Sequence, residues 1–460
     1  MGRVKHIHFV GIGGSGMCGI AEVLQHEGYK ITGSDLAETA TIKYLKSLGI
    51  MIFIGHKPEN ILGADVVVRS SAIDMMNPEL TAAREQLIPV IPRAMMLAEL
   101  MRFRHGIAIS GTHGKTTTTS LVSCLLAEGG LDPSFVIGGK LNSCGSHAQS
   151  GKSAYIVVEA DESDASFLYL KPMMAVVTNI DVDHMDNYGD DFTKLRSTFV
   201  EFLRHLPFYG LAVVCGDDEV VKQILPDIQR PTLIYGFNEG AHYRAINWTQ
   251  NGMLSEFVVQ RPSPHKPLTI KFKWPGRHNV LNALAAITIS TELGINDDAI
   301  IRGLYNFQGV GRRFQMLGER RFVQGTATIV DDYGHHPQEI KSTIDAFRRV
   351  WPNQRLLHVF QPHRYSRTKS LFNQFVQALS LADELLLFDI YSAGEPLIPG
   401  VSSDTLASEI RLNFPNVTLV DASNLEQHLN NIVRDGDIVL MQGAGNIGQI
   451  AYHLAKSTES

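Results

Sequence analysis

Short apolar, β-branched runs alternate along the chain with stretches whose apolar residues recur at helical spacing. His6-Ile7-His8-Phe9-Val10 predicts a strand, followed by Gly11-Ile12-Gly13-Gly14-Ser15-Gly16 and a helical stretch through Leu24. Lys30–Gly33 predicts a second strand ending at Ser34-Asp35, Ala64–Val68 a third, and the Pro-punctuated Leu87–Pro92 another. Ile107-Ala108-Ile109 reads as a buried strand. A Gly-rich turn follows it, and then a helix on which Leu121, Val122, Leu125 and Leu126 share a face. Tyr155–Val158, Ala175–Thr178 and Leu211–Val214 predict further strands, and Trp274-Pro275-Gly276-Arg277-His278-Asn279 opens a helix carrying Val280, Leu281, Leu284, Ala285 and Ile287. In the last third, Thr328–Val330, Arg355–Phe360, Glu384–Phe388, Val417–Val420 and Ile438–Met441 alternate with helical patterns, the order that builds a parallel α/β sheet.

Composition changes this picture mainly by exclusion. The 460 residues are 44% hydrophobic and 19% charged, enough for about three domains with large cores and little disorder. The segments run about 1–100, 101–311 and 312–460. A net charge of −6 gives no support for broad nucleic-acid binding. No run of about eighteen apolar residues exists, so no membrane insertion is expected. Met1-Gly2-Arg3-Val4-Lys5 leads straight into a strand and does not read as a signal peptide. Cys18, Cys124, Cys144 and Cys215 form no Cys-x-x-Cys, which suits reduced thiols in a cytoplasmic protein.

The chemistry sits where predicted strands end. Gly11–Gly16 with Asp35 fits the dinucleotide-binding fingerprint, in which a phosphate rests on a helix start and an acid meets a ribose hydroxyl. Ser70 and Ser71, at another strand end, are candidate contacts or ordinary turn residues. Ser110-Gly111-Thr112-His113-Gly114-Lys115-Thr116-Thr117 resembles a phosphate-binding loop: Gly111 and Gly114 permit close backbone approach, Lys115 reaches terminal phosphates and the Thr116 hydroxyl can bind Mg²⁺. The match is imperfect, because Ile109 stands where that pattern has a further glycine. Glu159-Ala160-Asp161-Glu162-Ser163-Asp164 packs four carboxylates at a strand end, which repel one another unless a cation is present. Glu159 is the first choice as metal ligand. His184, after Asn179-Ile180-Asp181-Val182-Asp183, can coordinate a divalent ion as a neutral imidazole. Lys115 with Thr116, Glu159 and His184 together suit Mg²⁺–ATP chemistry.

Asn279 and Asn282 lie about one turn apart, where either could meet a base edge or cap the helix. Arg312 and Arg313 sit at a domain junction and could reach phosphates. Arg364 and Arg367 could clamp a carboxylate or stand as a solvated helix start. Gly443–Gly448 repeats the glycine spacing of Gly11–Gly16, a warning that one such match can reflect only helix–strand packing.

Gly111–Thr117, Glu159–Asp164, Thr178–His184, Gly276-Arg277-His278-Asn279 and Arg312-Arg313-Phe314 occur in an order that resembles the Mur ligases, ATP-dependent amide-bond formers of bacterial peptidoglycan synthesis. The family's shortened phosphate loop accounts for Ile109. Asp331–Pro337 and Pro362–Thr368, with Gly11–Gly16, resemble its alanine-adding branch. The resemblance implies an α/β fold of three domains: an N-terminal Rossmann-like domain (1–100) for the UDP-sugar, a central P-loop ATPase-like domain (101–311) with a mostly parallel sheet for ATP and magnesium, and a C-terminal Rossmann-like α/β domain (312–460) contacting nucleotide and amino acid. It implies that L-alanine is joined to the carboxylate of UDP-N-acetylmuramate through an acyl phosphate, giving ADP and phosphate, in a cytoplasmic monomer or dimer serving cell-wall synthesis, cell shape and division.

By the same resemblance, Gly13, Ser15, Gly16 and Asp35, with Ser70 and Ser71 nearby, hold the UDP-sugar. Gly111, Thr112, His113, Gly114, Lys115, Thr116, Thr117, Asn279, Arg313 and Asp332 hold ATP. Thr116 and Glu159 bind one Mg²⁺ and His184 a second, with Mn²⁺ able to substitute. Lys115, Glu159, His184 and Arg313 are the catalytic set. Tyr333, His335, Arg364 and Arg367 match the amino-acid end, with His363 a weaker candidate. One departure stands out: several relatives carry a carbamylated lysine where this chain has Thr198 and Phe199, and Lys194 falls short of that position. Three rival readings remain at this point: a peptidoglycan-recycling ligase adding a whole peptide, an NAD-dependent oxidoreductase built on Gly11–Gly16, and a nucleotide-dependent binding switch.

Overall fold

The computed structural model describes residues 2–70, 72–142 and 146–456, with the backbone alone described at Ser15 and Lys140. Its strands form three sheets. The first part of the chain runs β1 (His6–Val10), α1 (Ser15–His26), β2 (Lys30–Asp35), α2 (Ala40–Ser47), β3 (Met51–Ile54), β4 (Val66–Arg69), α3 (Pro78–Glu85), β5 (Val90–Pro92) and α4 (Arg93–Met101). Its parallel sheet has the order β3-β2-β1-β4-β5. The order reverses beside β1, so the crevice at the carboxyl ends of β1 and β4 is where such sheets bind ligands. Met51–Ile54 went unread in the sequence: it is a four-residue edge strand with Met51 and Ile54 exposed, and it carries no alternation of polar and apolar residues.

The second part contains β6 (His105–Ser110), α5 (Lys115–Glu128), β7 (Ser134–Leu141), β8 (Ser146–Gln149), β9 (Tyr155–Glu159), β10 (Met174–Val177), α6 (Phe192–Arg204), β11 (Leu211–Cys215), α7 (Glu219–Ile228), β12 (Thr232–Gly236), β13 (Tyr243–Asn251), β14 (Leu254–Gln260), β15 (Leu268–Phe272), α8 (Arg277–Glu292) and α9 (Asp297–Asn306). The ten strands take the order β15-β14-β13-β12-β11-β10-β6-β9-β7-β8. The run from β12 to β7 is parallel and β8 pairs antiparallel with β7. The sequence reading missed the strands between residues 232 and 272. The small residues Gly138 and Gly139 belong to β7.

The last part comprises β16 (Gln315–Arg321), β17 (Thr326–Asp332), α10 (Pro337–Val350), β18 (Leu356–Phe360), α11 (Tyr365–Ser370), α12 (Phe372–Leu379), β19 (Glu384–Leu387), α13 (Ser403–Arg411), β20 (Val417–Leu419), α14 (Leu425–Ile432), β21 (Asp437–Gln442) and α15 (Ile447–Lys456). The sheet order is β16-β17-β21-β18-β19-β20, parallel except for the antiparallel edge strand β16.

Three sheets fold into two compact units. The first unit comprises Met1–Asn247, Phe257–Lys271 and Leu281–Gln308, and the second Trp248–Glu256, Phe272–Val280 and Gly309–Ser460. The first two sheets share a unit because one apolar cluster runs through both, from Ile7 and Phe9 to Val136, Val158 and Phe199. Helix α1 lies on β7 and β8, where a side chain at Gly19 would crowd Ala148 and Val136. The buried Glu22 carboxylate accepts hydrogen bonds there from Tyr44 (2.9 Å) and Ser146 (3.0 Å). Burial raises the Glu22 pKa, against the pull of those two donors. No helix among the described residues is long and apolar enough to cross a membrane.

Candidate active site

Two glycine-rich loops lie in the first unit. Gly11–Gly16 leaves β1, and the amides of Gly11 and Ile12 both donate to the Ser34 carbonyl. Gly11 has φ +78°, and a Cβ on it would stand 3.3 Å from Ser70, so the glycine is required by both conformation and space. The structure thus brings Ser70 to the loop; Ser71 and the Ser15 side chain lie outside the described residues. Asp35 accepts from the Gly13 amide at 2.8 Å and from Leu36 at 2.8 Å, so it shapes the loop before any ligand arrives.

The end of β2 is itself anchored from behind. Ser34 donates to Glu79 at 2.5 Å, and Asn60 and His8 also bond that carboxylate, at 2.5 and 3.4 Å. Ser34, Glu79 and His8 are fully buried. Burial pushes the Glu79 pKa up, but the bonds from His8, Ser34 and Asn60 outweigh it and hold the carboxyl below its ordinary value.

The second loop, Gly111–Gly114, leaves β6 and ends at α5. Gly111 and Gly114 have φ +128° and +81°, and side chains there would strike Thr178 and Asn282 respectively. The loop is stitched to the end of β10: Thr112 N donates to Asn179 O (3.1 Å), His113 N to Asn179 Oδ1 (2.8 Å), Thr178 Oγ1 to His113 O (2.6 Å) and Asp181 N to Thr112 Oγ1 (2.8 Å). This external bracing explains how the loop holds its shape with Ile109 inside the strand. Register completes the arrangement. Ser110 pairs with Val177 on one side and Ile109 with Glu159 on the other, so the phosphate loop, the acidic run and the segment leading to His184 leave adjacent strands within one residue of each other.

Lys115 Nζ donates to Gly111 O (2.6 Å), Thr112 O (3.1 Å) and Glu162 Oε1 (2.8 Å). Burial alone would lower its pKa, but Glu162, Asp161 and Glu159 raise it and keep the ammonium charged. Burial, reinforced by Asp161, pushes Glu162 up to about 7 against the pull of Lys115. Glu159 Oε1 accepts from Gly138 N at 2.9 Å, and a side chain at Gly138 would collide with that carboxylate. Asp161 pairs with Arg93 at 3.2 Å. His184 takes a left-handed backbone (φ +54°) at the start of a short turn, with Nε2 3.5 Å from Asp183. With Glu162 ionised, Glu159, Asp161 and Glu162 carry one negative charge more than Lys115 and Arg93 balance, and Glu162 Oε2 is buried without a hydrogen-bond partner. That surplus fits a divalent cation.

Three residues escaped the sequence reading. Asn282 Oδ1 accepts from Thr118 at 3.2 Å and packs against Gly114; the alternative between Asn279 and Asn282 was visible, the loop contact was not. Arg93 presses its guanidinium against Gly16, so a side chain there would have to push that group aside. Glu162 was seen only as one acid among four. At the carbamate position, Phe199 is fully buried in the core and Thr198 bonds back to Lys194 O, so neither offers an amine.

The second unit gathers the remaining candidates at the carboxyl ends of β17 and β18. Tyr333 lies between two guanidinium groups, Arg312 at 5.0 Å and Arg313 at 5.2 Å from its ring centre. Arg313 also faces Glu339 at 3.6 Å. His335 meets Tyr333 edge-on and lies 5.9 Å from the His363 ring, which stacks on Tyr391. Arg364 is half-exposed and 3.8 Å from Glu395, whereas Arg367 is buried and turned toward His363. The two arginines therefore differ, and Arg364 is the accessible one. Asp332 is an internal hub that accepts from Phe314 N, Gly334 N, Thr343 Oγ1 and Gln442 Nε2. Asn279 Nδ2 donates to Pro275 O at 2.7 Å. It therefore uses its amide N–H on the turn before the helix.

Family models match the chain in three consecutive stretches: the Mur ligase family catalytic domain over residues 6–105, the Mur ligase middle domain over 109–290 and the Mur ligase glutamate ligase domain over 312–445. The UDP-N-acetylmuramate–L-alanine ligase of Legionella pneumophila (strain Lens) is 74% identical over 457 residues, covering 99% of this chain and 97% of that protein. Among solved structures, the UDP-N-acetylmuramate–alanine ligase of Thermotoga maritima superposes with a TM-score of 0.83 at 29% identity over 98% of each chain. A murein peptide ligase from Psychrobacter arcticus shares the fold, with a TM-score of 0.73 at 22% identity over 99% of this chain and 100% of that one.

Proposed function

The chain belongs to the Mur ligase family, and from that premise we propose that it joins L-alanine to the carboxylate of UDP-N-acetylmuramate at the expense of ATP. The observation that carries this reading is the register of β10, β6 and β9, which delivers a braced phosphate loop and an acidic strand end to one edge. The three domains are read as 1–100, 101–311 and 312–460, in line with the three family matches. An oxidoreductase would leave the phosphate loop and its acidic partners without a role, and a peptide-adding ligase is the weaker fit beside a relative at 74% identity.

In the proposed reaction the muramoyl carboxylate attacks the γ-phosphorus of ATP, ADP departs, and an acyl phosphate forms. The alanine amine then attacks the acyl carbon, loses a proton, and phosphate leaves. Negative charge gathers on phosphoryl oxygens in the first step and on the carbonyl oxygen in the second, so fixed cations lower both barriers. Lys115 supplies one such cation from the start of α5, and a helix N-terminus favours an anion. Thr112, His113, Thr116 and Thr117 complete the loop and the first turn of α5. Thr116, Glu159 and His184 would hold Mg²⁺, as two ions, which would neutralise the phosphates. Arg313 adds positive charge from the last domain, Asn279 serves the adenine, and Asp332 acts on the ribose side by holding Phe314 and Gly334 in place. Gly13, Ser15, Gly16 and Asp35, with Ser70 and Ser71, seat the UDP-sugar. Tyr333, His335 and Arg364 form the amino-acid end, supported by Arg367, and the guanidinium of Arg364 suits the alanine carboxylate. The protein acts in the cytoplasm.

Hydroxylamine trapping tests the first half-reaction. With ATP and UDP-N-acetylmuramate but no alanine, a hydroxamate of the muramoyl group is expected; ATP consumption with alanine and no trappable acyl group would overturn the acyl-phosphate route.

A further inference from the structure

We infer that Glu162 holds the hydrogen-bond direction of Lys115 that a nucleotide phosphate takes, so that nucleotide binding exchanges a carboxylate for a phosphate on this ammonium. This rests on reading Gly111–Thr117 as the nucleotide loop.

An ammonium has three N–H bonds, and all three of Lys115 are used, on Gly111 O, Thr112 O and Glu162 Oε1. A phosphate oxygen gains a well-directed bond from Nζ only when one of these acceptors withdraws. The two carbonyls cannot withdraw. They belong to the loop backbone, which Thr178, Asn179 and Asp181 hold at four points. Glu162 is the one partner that sits on a separate side chain and can leave by turning its own torsions.

The surroundings of Glu162 mark it as replaceable. Its backbone is fixed, because Tyr188 donates its hydroxyl to the Glu162 carbonyl. Its carboxylate is not: Oε1 meets Lys115, while Oε2 is buried and makes no hydrogen bond. A purely structural buried ion pair satisfies both oxygens, as the Glu79 carboxylate does with Ser34, His8 and Asn60. The charged groups around it are Lys115, Asp161 beside it in sequence, and Arg93, which pairs with Asp161 and so does not serve Glu162. Glu162 thus offers Lys115 a carboxylate oxygen at 2.8 Å while its other oxygen makes no hydrogen bond. Functionally, it keeps the ammonium inside the loop and sets a threshold that an incoming phosphate must exceed.

The test uses the full chain and MgADP. Glu162→Gln removes the charge that competes for Lys115 while keeping the shape, and is expected to bind MgADP about tenfold more tightly by calorimetry, the scale of one charge-assisted hydrogen bond. Equal or weaker binding by a variant that melts like the wild type would overturn the inference, and a structural role alone can only weaken binding. A crystal structure of the wild-type protein with a non-hydrolysable ATP analogue gives a second readout that needs no variant. Lys115 Nζ and Glu162 Oε1 are expected to lie more than about 4 Å apart, beyond hydrogen-bond range. The pair still closed beside bound phosphate would overturn it. Failure of the wild type to bind any nucleotide would instead sink the nucleotide reading of the loop.

Discussion

Gly11-Ile12-Gly13-Gly14-Ser15-Gly16 and Gly443-Ala444-Gly445-Asn446-Ile447-Gly448 share one spacing, and each joins a buried parallel strand to a helix. In both, the last glycine is small because an arginine lies against it: Arg93 at Gly16 and Arg312 at Gly448. The arginines differ in how they are held. Arg93 has one ion pair among the described residues, to Asp161. Arg312 donates to Gly443 O (2.6 Å) and Gly445 O (3.4 Å), pairs with Asp331 at 3.3 Å and stacks on Tyr333. The last loop therefore turns its carbonyls to a cation of the chain itself and works as packing. In the first loop the Gly11 and Ile12 amides go to Ser34 O, that of Gly13 to Asp35 and that of Gly14 to Gly11 O, and its helix start carries no side-chain cap and no acid in the first turn. One glycine pattern serves as a structural joint in one place and, on the function proposed above, as a ligand seat in the other, and the neighbours decide which.

The largest effect should come from cutting the support behind the first loop. Glu79→Ala leaves His8, Ser34 and Asn60 without their shared buried acceptor and should cost about 3–5 kcal/mol of stability in urea unfolding. A loss under about 1 kcal/mol would show that the network is not what anchors the end of β2. Next, Gly448→Ala forces a methyl group into an arginine held by several partners, and about 1–3 kcal/mol should be lost with no change in UDP-N-acetylmuramate affinity once folded. Gly16→Ala should show the opposite split. Arg93 can swing its far end aside, so stability should fall by no more than about 1 kcal/mol, while the KM for UDP-N-acetylmuramate rises about ten- to a hundredfold. Equal behaviour of these two glycine variants would erase the distinction between the loops.

The smallest effect concerns two fully buried histidines near the loops, His8 in β1, which runs into the first loop, and His358 in β18, which pairs with the strand that feeds the last. His8 has Thr32 and Glu79 beside it. Burial drives His358 down from 6.5 to about 4. The unfolded chain binds a proton at His358 between about pH 6.5 and 4 and the folded chain does not, so folded stability is full above that window and falls as pH drops through it. Denaturant midpoints measured at pH 7 and pH 5 should therefore converge in His358→Phe relative to the wild type; an unchanged gap would show that His358 does not titrate this way.

The strands at the centre of each sheet and the loops that leave them were legible from the sequence, because parallel strands buried on both faces leave continuous β-branched runs such as Ile107–Ile109 and Val66–Val68; the strands between residues 232 and 272 were not. Edge strands were not, since Met51–Ile54 and the mostly polar Gln315–Arg321 bury little and carry no clear period. The candidate site divides the same way. Lys115, Glu159 and His184 announce themselves by chemistry at strand ends. Asn282, Arg93 and Glu162 acquire meaning only from partners 47 to 164 positions away in the chain or from a glycine they press against, contacts that no local pattern records. Arg364 and Arg367 read alike in sequence, and only burial separates the accessible guanidinium from the one turned inward.

Phosphate release from MgATP, with UDP-N-acetylmuramate and L-alanine supplied singly and together, tests the proposed ligase activity most directly. Release is expected only when both are present, with a product heavier by one alanyl unit. Release that ignores alanine, or that requires a tripeptide in its place, would contradict it.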